Sequence, residues 1–207
     1  MNGISEQECA NYWVKRSEKQ GYLTVGCSGN NTEAKQDAEY QVKQKFVAPH
    51  LLLNVATVDY GCGVGRWSDI FEKKLYVGMD ITSNLLEQAI SRNPEKTFSH
   101  LATVNLSNVS NDVKKALQKC SQFFSCCVLQ HCDDKLVGQI FANLYSIKPK
   151  GIRFVLYENK QVKVNHVAGR TGEEYLNLLE QAGYEAELEY HTHTVHGEEH
   201  GVSILQT

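Results

Sequence analysis

The residue types best suited to chemistry lie in one short run, Val58-Asp59-Tyr60-Gly61-Cys62-Gly63-Val64-Gly65. Its three glycines alternate with other residues, and an acid stands two positions before the first of them. Glycines let a backbone take tight dihedral angles and leave no Cβ to block a ligand that approaches the turn. A second acid, Asp80, lies 21 residues after Asp59 in the chain. In a dinucleotide-type strand–turn–helix–strand unit, an acid at about this spacing ends the second strand and can accept both hydroxyls of a bound ribose. The run therefore predicts a binding turn for a ligand that contains a ribose.

The spacing of these glycines differs from the dinucleotide fingerprint G-x-G-x-x-G, because position 66 is arginine. Asp59 also disfavours a pyrophosphate at the turn, since like charges would meet. A ligand that carries a sulfonium and an ammonium fits this acid better. The structural alternative is a glycine turn that serves only helix packing. The apolar run before the turn, and Asp80 at the end of the next apolar run, weigh against this alternative.

Short apolar runs that alternate with amphipathic stretches predict the elements that hold these residues. Residues 1–50 are predicted to form an N-terminal helical cap, or lid, with one helix over 33–46. Within 51–207, strands are predicted to end near 61 and to cover 75–80, 98–104, 122–129, 152–158, 184–194 and 201–206. Helices are predicted over 65–74, 84–92, 111–120, 133–146 and 171–182, the last with Thr171 as N-cap and Glu174 completing a capping box. This alternation predicts an α/β fold: a Rossmann-like seven-stranded sheet, mostly parallel, with an antiparallel C-terminal hairpin strand and helices on both faces.

The motifs, taken in order, resemble those of a known family. VDYGCGVGRW (58–67) followed by VGMDIT (77–82) resembles motif I and the post-I acid of the class I S-adenosylmethionine-dependent methyltransferases. VLQHC (128–132), SIKPKG (146–151) and the closing hairpin follow in the family's order, so the resemblance covers residues 51–207. It implies S-adenosyl-L-methionine as cofactor and S-adenosyl-L-homocysteine as product.

The resemblance also implies roles for individual residues. Asp59 would hold the amino group of the cofactor, Asp80 its ribose hydroxyls, and Ile81 its adenine. Asn105 stands where the family usually has an acid against the adenine amino group, and its carbonyl could accept the same hydrogen bond. Gln130 would lie beside the sulfonium. The full set of implied cofactor-binding residues is Asp59, Gly61, Cys62, Gly63, Gly65, Asp80, Ile81, Asn105, Leu106 and Gln130.

Two further groups could act on the methyl acceptor. His131 lies where the resemblance places the transferred methyl group, and a histidine there could take a proton from an attacking hydroxyl or amine. The alternative, that His131 only shapes the pocket wall, stays open. Tyr12, Trp13 and Arg16 precede the domain and could form a lid over the acceptor, or they could belong to a helix that packs its aromatic rings on the sheet.

The net charge and the absence of two motifs limit the classes of molecule that could accept the methyl group. The chain of 207 residues has 21 Lys and Arg against 24 Asp and Glu, a formal charge of −3, and so lacks the basic surface of a generic nucleic-acid binder. No D-P-P-Y-like or N-P-P-Y-like segment follows the fourth predicted strand, which disfavours methylation of DNA bases. The expected function is therefore methyl transfer by in-line displacement to an oxygen or nitrogen atom of a small molecule. The alternatives are a protein methyltransferase and a non-catalytic S-adenosylmethionine-binding scaffold subunit.

Cysteines and hydropathy bear on the compartment. The chain has seven cysteines, an odd number, which favours reduced thiols in a cytoplasmic protein over a disulfide framework. No apolar run is long enough to span a bilayer and no signal peptide is visible, so no membrane partner is expected. Cys126 and Cys127 are expected on opposite faces of a strand, and Cys120 and Cys132 complete no C-x-x-C spacing, so no structural zinc is expected.

Two polar segments near the C-terminus could bind ligands. His191 and His193 share one strand face, and His196 or His200 could fold back to complete a metal site. A polar edge strand is the favoured interpretation, so no metal is predicted. The basic run 160–170 could bind an acidic acceptor, although a solvated loop is the simpler expectation.

Overall fold

The elements of the fold are given by a computed structural model, which describes residues 5–20, 32–160, 163–164, 167–195 and 198–207. The helices are α1 (Glu6–Gln20), α2 (Glu33–Val47), α3 (Ser83–Arg92), α4 (Asn111–Lys119), α5 (Asp134–Ile147) and α6 (Gly172–Gln181). The strands are β1 (Thr57–Tyr60), β2 (Tyr76–Asp80), β3 (Thr97–His100), β4 (Gln122–Cys126), β5 (Arg153–Asn159), β6 (Lys163–Val164), β7 (Val167–Ala168), β8 (Glu187–Val195) and β9 (Glu198–Gln206). Short 3-10 turns cover Ala48–His50, Ser68–Ile70 and Leu129–His131.

Seven of the strands form one sheet in the order β3-β2-β1-β4-β5-β9-β8. The first five in this order are parallel, whereas β9 runs antiparallel to β5 and β8 antiparallel to β9. The predicted mostly parallel, seven-stranded α/β sheet with an antiparallel closing hairpin is confirmed. Because the chain proceeds from β1 toward β2 on one side and places β4 on the other, a crevice opens at the carboxyl ends of β1 and β4. Ligands of open α/β sheets bind at such a switch point.

The core consists of two apolar layers, one on each face of the sheet. Successive residues of β4 point to opposite faces: Phe123 packs with side chains from α4, α5 and α6, whereas Phe124 packs with Trp67 and with Val47 of α2. The N-terminal helix α2 therefore buries its last turn against the sheet.

The predicted start of α6 is confirmed in detail. The Thr171 side chain accepts the backbone N–H of Glu174, and the Glu174 carboxylate accepts the backbone N–H of Thr171, so the capping box is complete. This reciprocal pair satisfies two of the otherwise unpaired N–H groups at the helix start.

The helix predicted over 65–74 is wrong. Gly65 has φ 74°, in the left-handed region, and Phe71 is extended with ψ 154°, which leaves only the 3-10 turn between them. Trp67 and Phe71 are spaced like the buried face of a helix, and both are buried, but turns deliver them to the core. The apolar spacing thus identified the burial of these two side chains and not the backbone that carries them.

Several predicted element ends are corrected as well. Strand β3 ends at His100 rather than at 104, and β4 ends at Cys126 rather than at 129 because Cys127 takes φ 57°. Strand β9 begins at Glu198 rather than at 201, and His196 lies outside the described residues.

The basic run 160–170 ends in a buried residue, Arg170, rather than in the solvated loop that was expected. Arg170 is 3% exposed; its guanidinium pairs with Asp134 at 2.8 Å and donates to the carbonyl oxygens of Leu129 and Cys132 at 3.0 and 2.6 Å. This side chain therefore braces the loop that follows β4. In the described part of the chain, no helix combines the length and apolarity needed to cross a membrane.

Candidate active site

A cavity of about 420 Å³ opens at the carboxyl ends of β1 and β4. Its walls come from α1, α2, the turn after β1, the end of β2 and the loops after β3 and β4. It brings together most of the residues predicted from sequence, namely Tyr12, Trp13, Arg16, Asp59, Gly61, Cys62, Asp80, Ile81, Gln130 and His131. The volume falls in the range of small-molecule and cofactor sites.

The glycine run forms a turn whose backbone is left-handed at three alternate positions, a conformation that favours glycine. Gly61, Gly63 and Gly65 have φ of 75°, 54° and 74°. A Cβ at Gly61 would overlap the methyl groups of Val128, and one at Gly65 would stand 3.0 Å from the Phe98 ring. Gly61 therefore lines the cavity, while Gly63 and Gly65 lie outside its lining and shape the turn.

Asp80 lies at the end of β2 with its carboxylate directed at the glycine turn. One oxygen accepts the backbone N–H of Gly63 at 2.9 Å and the other accepts that of Thr82 at 2.8 Å. Burial raises the pKa of the Asp80 carboxyl, and these two hydrogen bonds act in the opposite direction. Each carboxylate oxygen has two acceptor positions, so Asp80 can still accept two hydroxyl donors from the cavity.

Asp59 is the more deeply buried of the two acids, with 1% of its surface exposed. Burial raises the pKa of its carboxyl to about 7, while a hydrogen bond from the Tyr76 hydroxyl at 2.7 Å favours the charged form. A cationic ligand group in the cavity would shift this balance further toward the carboxylate. Asp59 is therefore poised to hold an ammonium group.

The loop after β4 is organised by Glu158, a buried residue that sequence reasoning missed. Its carboxylate accepts the backbone N–H groups of Val128, Leu129 and Gln130 at 3.1–3.2 Å and the Ser125 hydroxyl at 2.9 Å. Burial, the largest cause, raises the pKa of Glu158 to about 8. The available signal was an acid at the end of the predicted strand 152–158, directly after the apolar run 154–157, where a buried carboxyl must find partners.

Glu158 thereby positions Gln130 and His131 at the cavity. The Gln130 side-chain oxygen accepts the backbone N–H of Asn159 at 2.7 Å, and its Nε2 lies 3.4 Å from Nε2 of His131. The His131 ring meets the Trp13 ring edge to face, with centroids 4.8 Å apart. Helix α1 therefore contributes directly to the wall beside His131.

Asn105 and Leu106 are not brought to the cavity. The Asn105 side-chain amide donates to Glu6 of α1 at 2.8 Å, and its oxygen accepts the backbone N–H of Ser107. Leu106 is buried in the core with φ 62°. Strand β3 ends at His100. Leu101 and Val104, in the first part of the loop that follows, reach the cavity, whereas Asn105 lies beyond it.

Other lining residues were not identified from sequence. Leu101 and Val104 of the loop after β3 give the cavity an apolar wall beside Ile81. Helix α2 adds Gln36, Glu39, Tyr40 and Lys43, and the loop after β4 adds Cys126 and Cys127. A helix over 33–46 was predicted as part of the N-terminal cap, but no pattern in it indicates which side chains face the cavity, so these four residues of α2 were missed.

The C-terminal histidines divide between two environments. The His191 side chain lies 2.7 Å from the Glu189 carboxylate and stacks on His50, with ring centroids 4.3 Å apart. The ligand atoms of these three side chains lie within 4.8 Å of one another, a set of nitrogen and oxygen atoms that a transition metal accepts. His193 instead stacks on Tyr157, and β8 is an edge strand, as expected.

Comparisons with known proteins find similarity in structure. No protein-family model and no curated protein sequence matches the chain. The magnesium protoporphyrin IX methyltransferase of Synechocystis PCC 6803, solved with bound S-adenosylhomocysteine, has a TM-score of 0.65 at 14% identity over 96% of this chain and 98% of that one. A TehB-like S-adenosylmethionine-dependent methyltransferase of Corynebacterium glutamicum has a TM-score of 0.56 at 16% identity, over 95% and 97%. Phosphoethanolamine N-methyltransferase 1 of Haemonchus contortus has a TM-score of 0.67 at 13% identity, over 98% of this chain and 50% of that one.

These neighbours span nearly the whole of this chain, and the strand order with its reversed C-terminal strand agrees with the sequence resemblance. The chain has the fold of the class I S-adenosylmethionine-dependent methyltransferases.

Proposed function

We propose that this protein is an S-adenosylmethionine-dependent methyltransferase that methylates an oxygen or nitrogen atom of a small molecule. The observation that carries the proposal is the convergence of Asp59, Asp80 and the glycine turn on one cavity at the switch point of the sheet. A fold alone does not define an activity, so the argument rests on these groups.

The groups around the cavity fit this cofactor. Asp80 retains acceptor positions for two ribose hydroxyls, and Asp59 offers a buried carboxyl for an ammonium. Ile81, Leu101 and Val104 provide an apolar surface for a flat heterocycle. When bound, S-adenosylmethionine supplies a methyl group on a positively charged sulfur, which is already an activated electrophile.

The residues of this chain then hold and deprotonate the acceptor. His131 faces the cavity from a turn fixed by Glu158, and its imidazole would accept the proton of an attacking hydroxyl or amine. Trp13, Tyr12 and Arg16 of α1 would cover the acceptor and exclude water from it. Positioning of this kind supplies a large share of the acceleration of a bimolecular step.

Three observations favour a small acceptor over a macromolecule. Helices α1 and α2 both wall the cavity, which leaves room for a small molecule more readily than for a polypeptide or a nucleic-acid strand. Two structural neighbours are named as enzymes acting on magnesium protoporphyrin IX and on phosphoethanolamine, which are small molecules. The formal charge of −3 points the same way.

The proposal is tested by following labelled methyl groups. The purified protein is incubated with methyl-labelled S-adenosylmethionine and a cell extract that has been separated into metabolites and macromolecules, with Asp80→Ala as the control. Label that appears in the metabolite fraction with the wild-type protein alone supports the proposal. Label in the macromolecular fraction would identify a different acceptor class, and cofactor binding without any transfer would identify a scaffold.

A further inference from the structure

The segment that ends α2 meets the edge strand β8 through a pair of stacked imidazoles. Directly paired residues of neighbouring strands share one face of a sheet, and His191 of β8 pairs with Val202, which pairs with Tyr157. Val202 and Tyr157 belong to the apolar layer that also buries Val47 of α2. His191 therefore lies on the α2 side of the sheet, where the His50 ring stacks on it with centroids 4.3 Å apart.

Glu189 completes a group of three side chains that can ligate a metal ion. It stands two residues before His191 on β8, so the two side chains share a face, and its carboxylate lies 2.7 Å from Nε2 of His191. The ligand atoms of His50, Glu189 and His191 all lie within 4.8 Å of one another. Among the side chains that the structure describes, this is the one group of three or more His, Cys, Asp or Glu residues brought so close. Two separate elements of the chain thus deliver their ligands to one point.

Small side-chain rotations bring these atoms to the spacing of a coordination shell. Bonds of about 2.0–2.1 Å to a tetrahedral ion put neighbouring ligand atoms about 3.3 Å apart. Glu189 and His191 are exposed and His50 is half-buried, so the two strand side chains can turn toward the His50 nitrogen without disturbing the core. Three protein ligands leave a fourth position for water at this surface.

The charges and atom types of the group select a class of ion. Two imidazole nitrogens and one carboxylate suit a divalent transition metal such as Zn²⁺, whereas Mg²⁺ and Ca²⁺ prefer shells of oxygen atoms. Arg153 is a cation that acts on both His50 and Glu189, and its charge opposes a bound ion. Its Nη2 donates to the His50 backbone carbonyl at 3.2 Å, so the guanidinium is directed at the backbone, and the Glu189 carboxylate offsets its charge.

We propose that His50, Glu189 and His191 form a surface site for a divalent transition-metal ion of the zinc type, which fastens the end of α2 to the edge of the sheet. Such an ion binds only where both segments are folded, so its binding stabilises the folded state. Helix α2 also lines the cavity through residues such as Tyr40 and Lys43, and the ion holds that wall in place. The three ligands lie outside the cavity lining, and the site does not depend on methyl transfer.

The test is a calorimetric titration of Zn²⁺ into the reduced protein after treatment with a chelator. We expect one site per chain, at least about tenfold weaker in His50→Ala and in His191→Ala, because each variant leaves two of three ligands. Glu189→Gln should weaken binding in the same way. Glu187→Gln, at an exposed acid on the same face of β8, is the matched control and should bind like the wild type. Zn²⁺ should also raise the Tm of the wild-type protein and not that of His50→Ala.

Other outcomes overturn the proposal. Binding that is kept in His50→Ala and lost in His193→Ala would assign the ion to the other C-terminal histidines. With Co²⁺ as the probe, sulfur-to-cobalt charge-transfer absorption would assign it to cysteines. No binding to the wild-type protein, or equal affinity in all variants, would likewise refute the site. S-adenosylhomocysteine binding measured on the same samples reports on the cavity separately, so failure here leaves the proposed methyl transfer untouched.

Discussion

The Asp80 carboxylate accepts the backbone N–H of Gly63 at 2.9 Å, which ties the end of β2 to the middle of the glycine turn. Gly63 can point its N–H at the carboxylate because it takes φ 54°. Gly63 and Asp80 are 17 residues apart in the chain, and their hydrogen bond makes the acid and the glycine turn one structural unit. A change at either side is expected to disturb the other.

The glycine turn predicts a specific stability difference. Gly61→Ala should lower the free energy of unfolding by at least about 3 kcal/mol, because a left-handed alanine is strained and its Cβ would overlap Val128. Gly151→Ala is the matched control, since Gly151 has φ 67° but open space around a Cβ, and should cost only about 1 kcal/mol. Urea unfolding of both variants measures the difference. Equal losses would show that Val128 does not constrain the turn.

Glu158 predicts a pH dependence of stability. Its pKa rises from 4.5 to about 8 on folding, with burial as the main cause. Between these values the folded state holds a proton that the unfolded chain has released, so the free energy of unfolding falls as pH rises through this window. Glu158→Gln, which resembles the protonated form, should flatten that decline, whereas Glu185→Gln at an exposed position should not. Thermal unfolding from pH 5 to 9 tests this; an unchanged slope in Glu158→Gln would rule Glu158 out as its source.

Tyr76 predicts how cofactor binding depends on pH. Its hydroxyl favours the charged form of Asp59, whose pKa is about 7. Tyr76→Phe should move the midpoint of S-adenosylhomocysteine binding upward by about one pH unit, since a hydrogen bond to a charged group contributes about 1.5 kcal/mol. Tyr145→Phe, in a residue that packs on Tyr184, is the control. A midpoint that stays in place would mean that Asp59 does not hold the ligand.

His131 predicts a separation of binding from turnover. His131→Ala should leave the affinity for S-adenosylhomocysteine within about twofold and lower kcat by about 10²-fold, the usual loss for a removed general base. Once an acceptor is in hand, steady-state kinetics with isothermal titration calorimetry makes the comparison. If the variant has the kcat of the wild type, His131 is not a general base and only shapes the wall of the cavity.

The sheet and the cofactor half of the cavity could be predicted from sequence because their signals are local. The glycine run, Asp80 and the capping box of Thr171 and Glu174 each consist of residues close together in the chain. The helix predicted to begin at Gly65 does not form because the Gly65 backbone is left-handed; apolar spacing reports burial and not dihedral angles.

The remaining site residues depend on contacts between distant segments. Asn105 turns to Glu6, 99 residues earlier in the chain, and no local pattern encodes that pairing. Lys43 meets Cys127 across 84 residues for the same reason. Cys127 itself reads as a strand residue, and its left-handed conformation becomes visible only in the structure.

The central claim is that Asp80 and the glycine turn hold S-adenosylmethionine, and calorimetric titration with S-adenosylhomocysteine tests it most directly. We expect one site per chain in the wild-type protein and at least about tenfold weaker binding in Asp80→Ala, a loss of about 1.4 kcal/mol or more, because two hydroxyl donors lose their acceptor. Asp112→Ala, at an exposed acid of α4 outside the cavity lining, is the matched control and should bind like the wild type. Absence of any binding heat at several temperatures, or equal affinity in Asp80→Ala, would contradict the account.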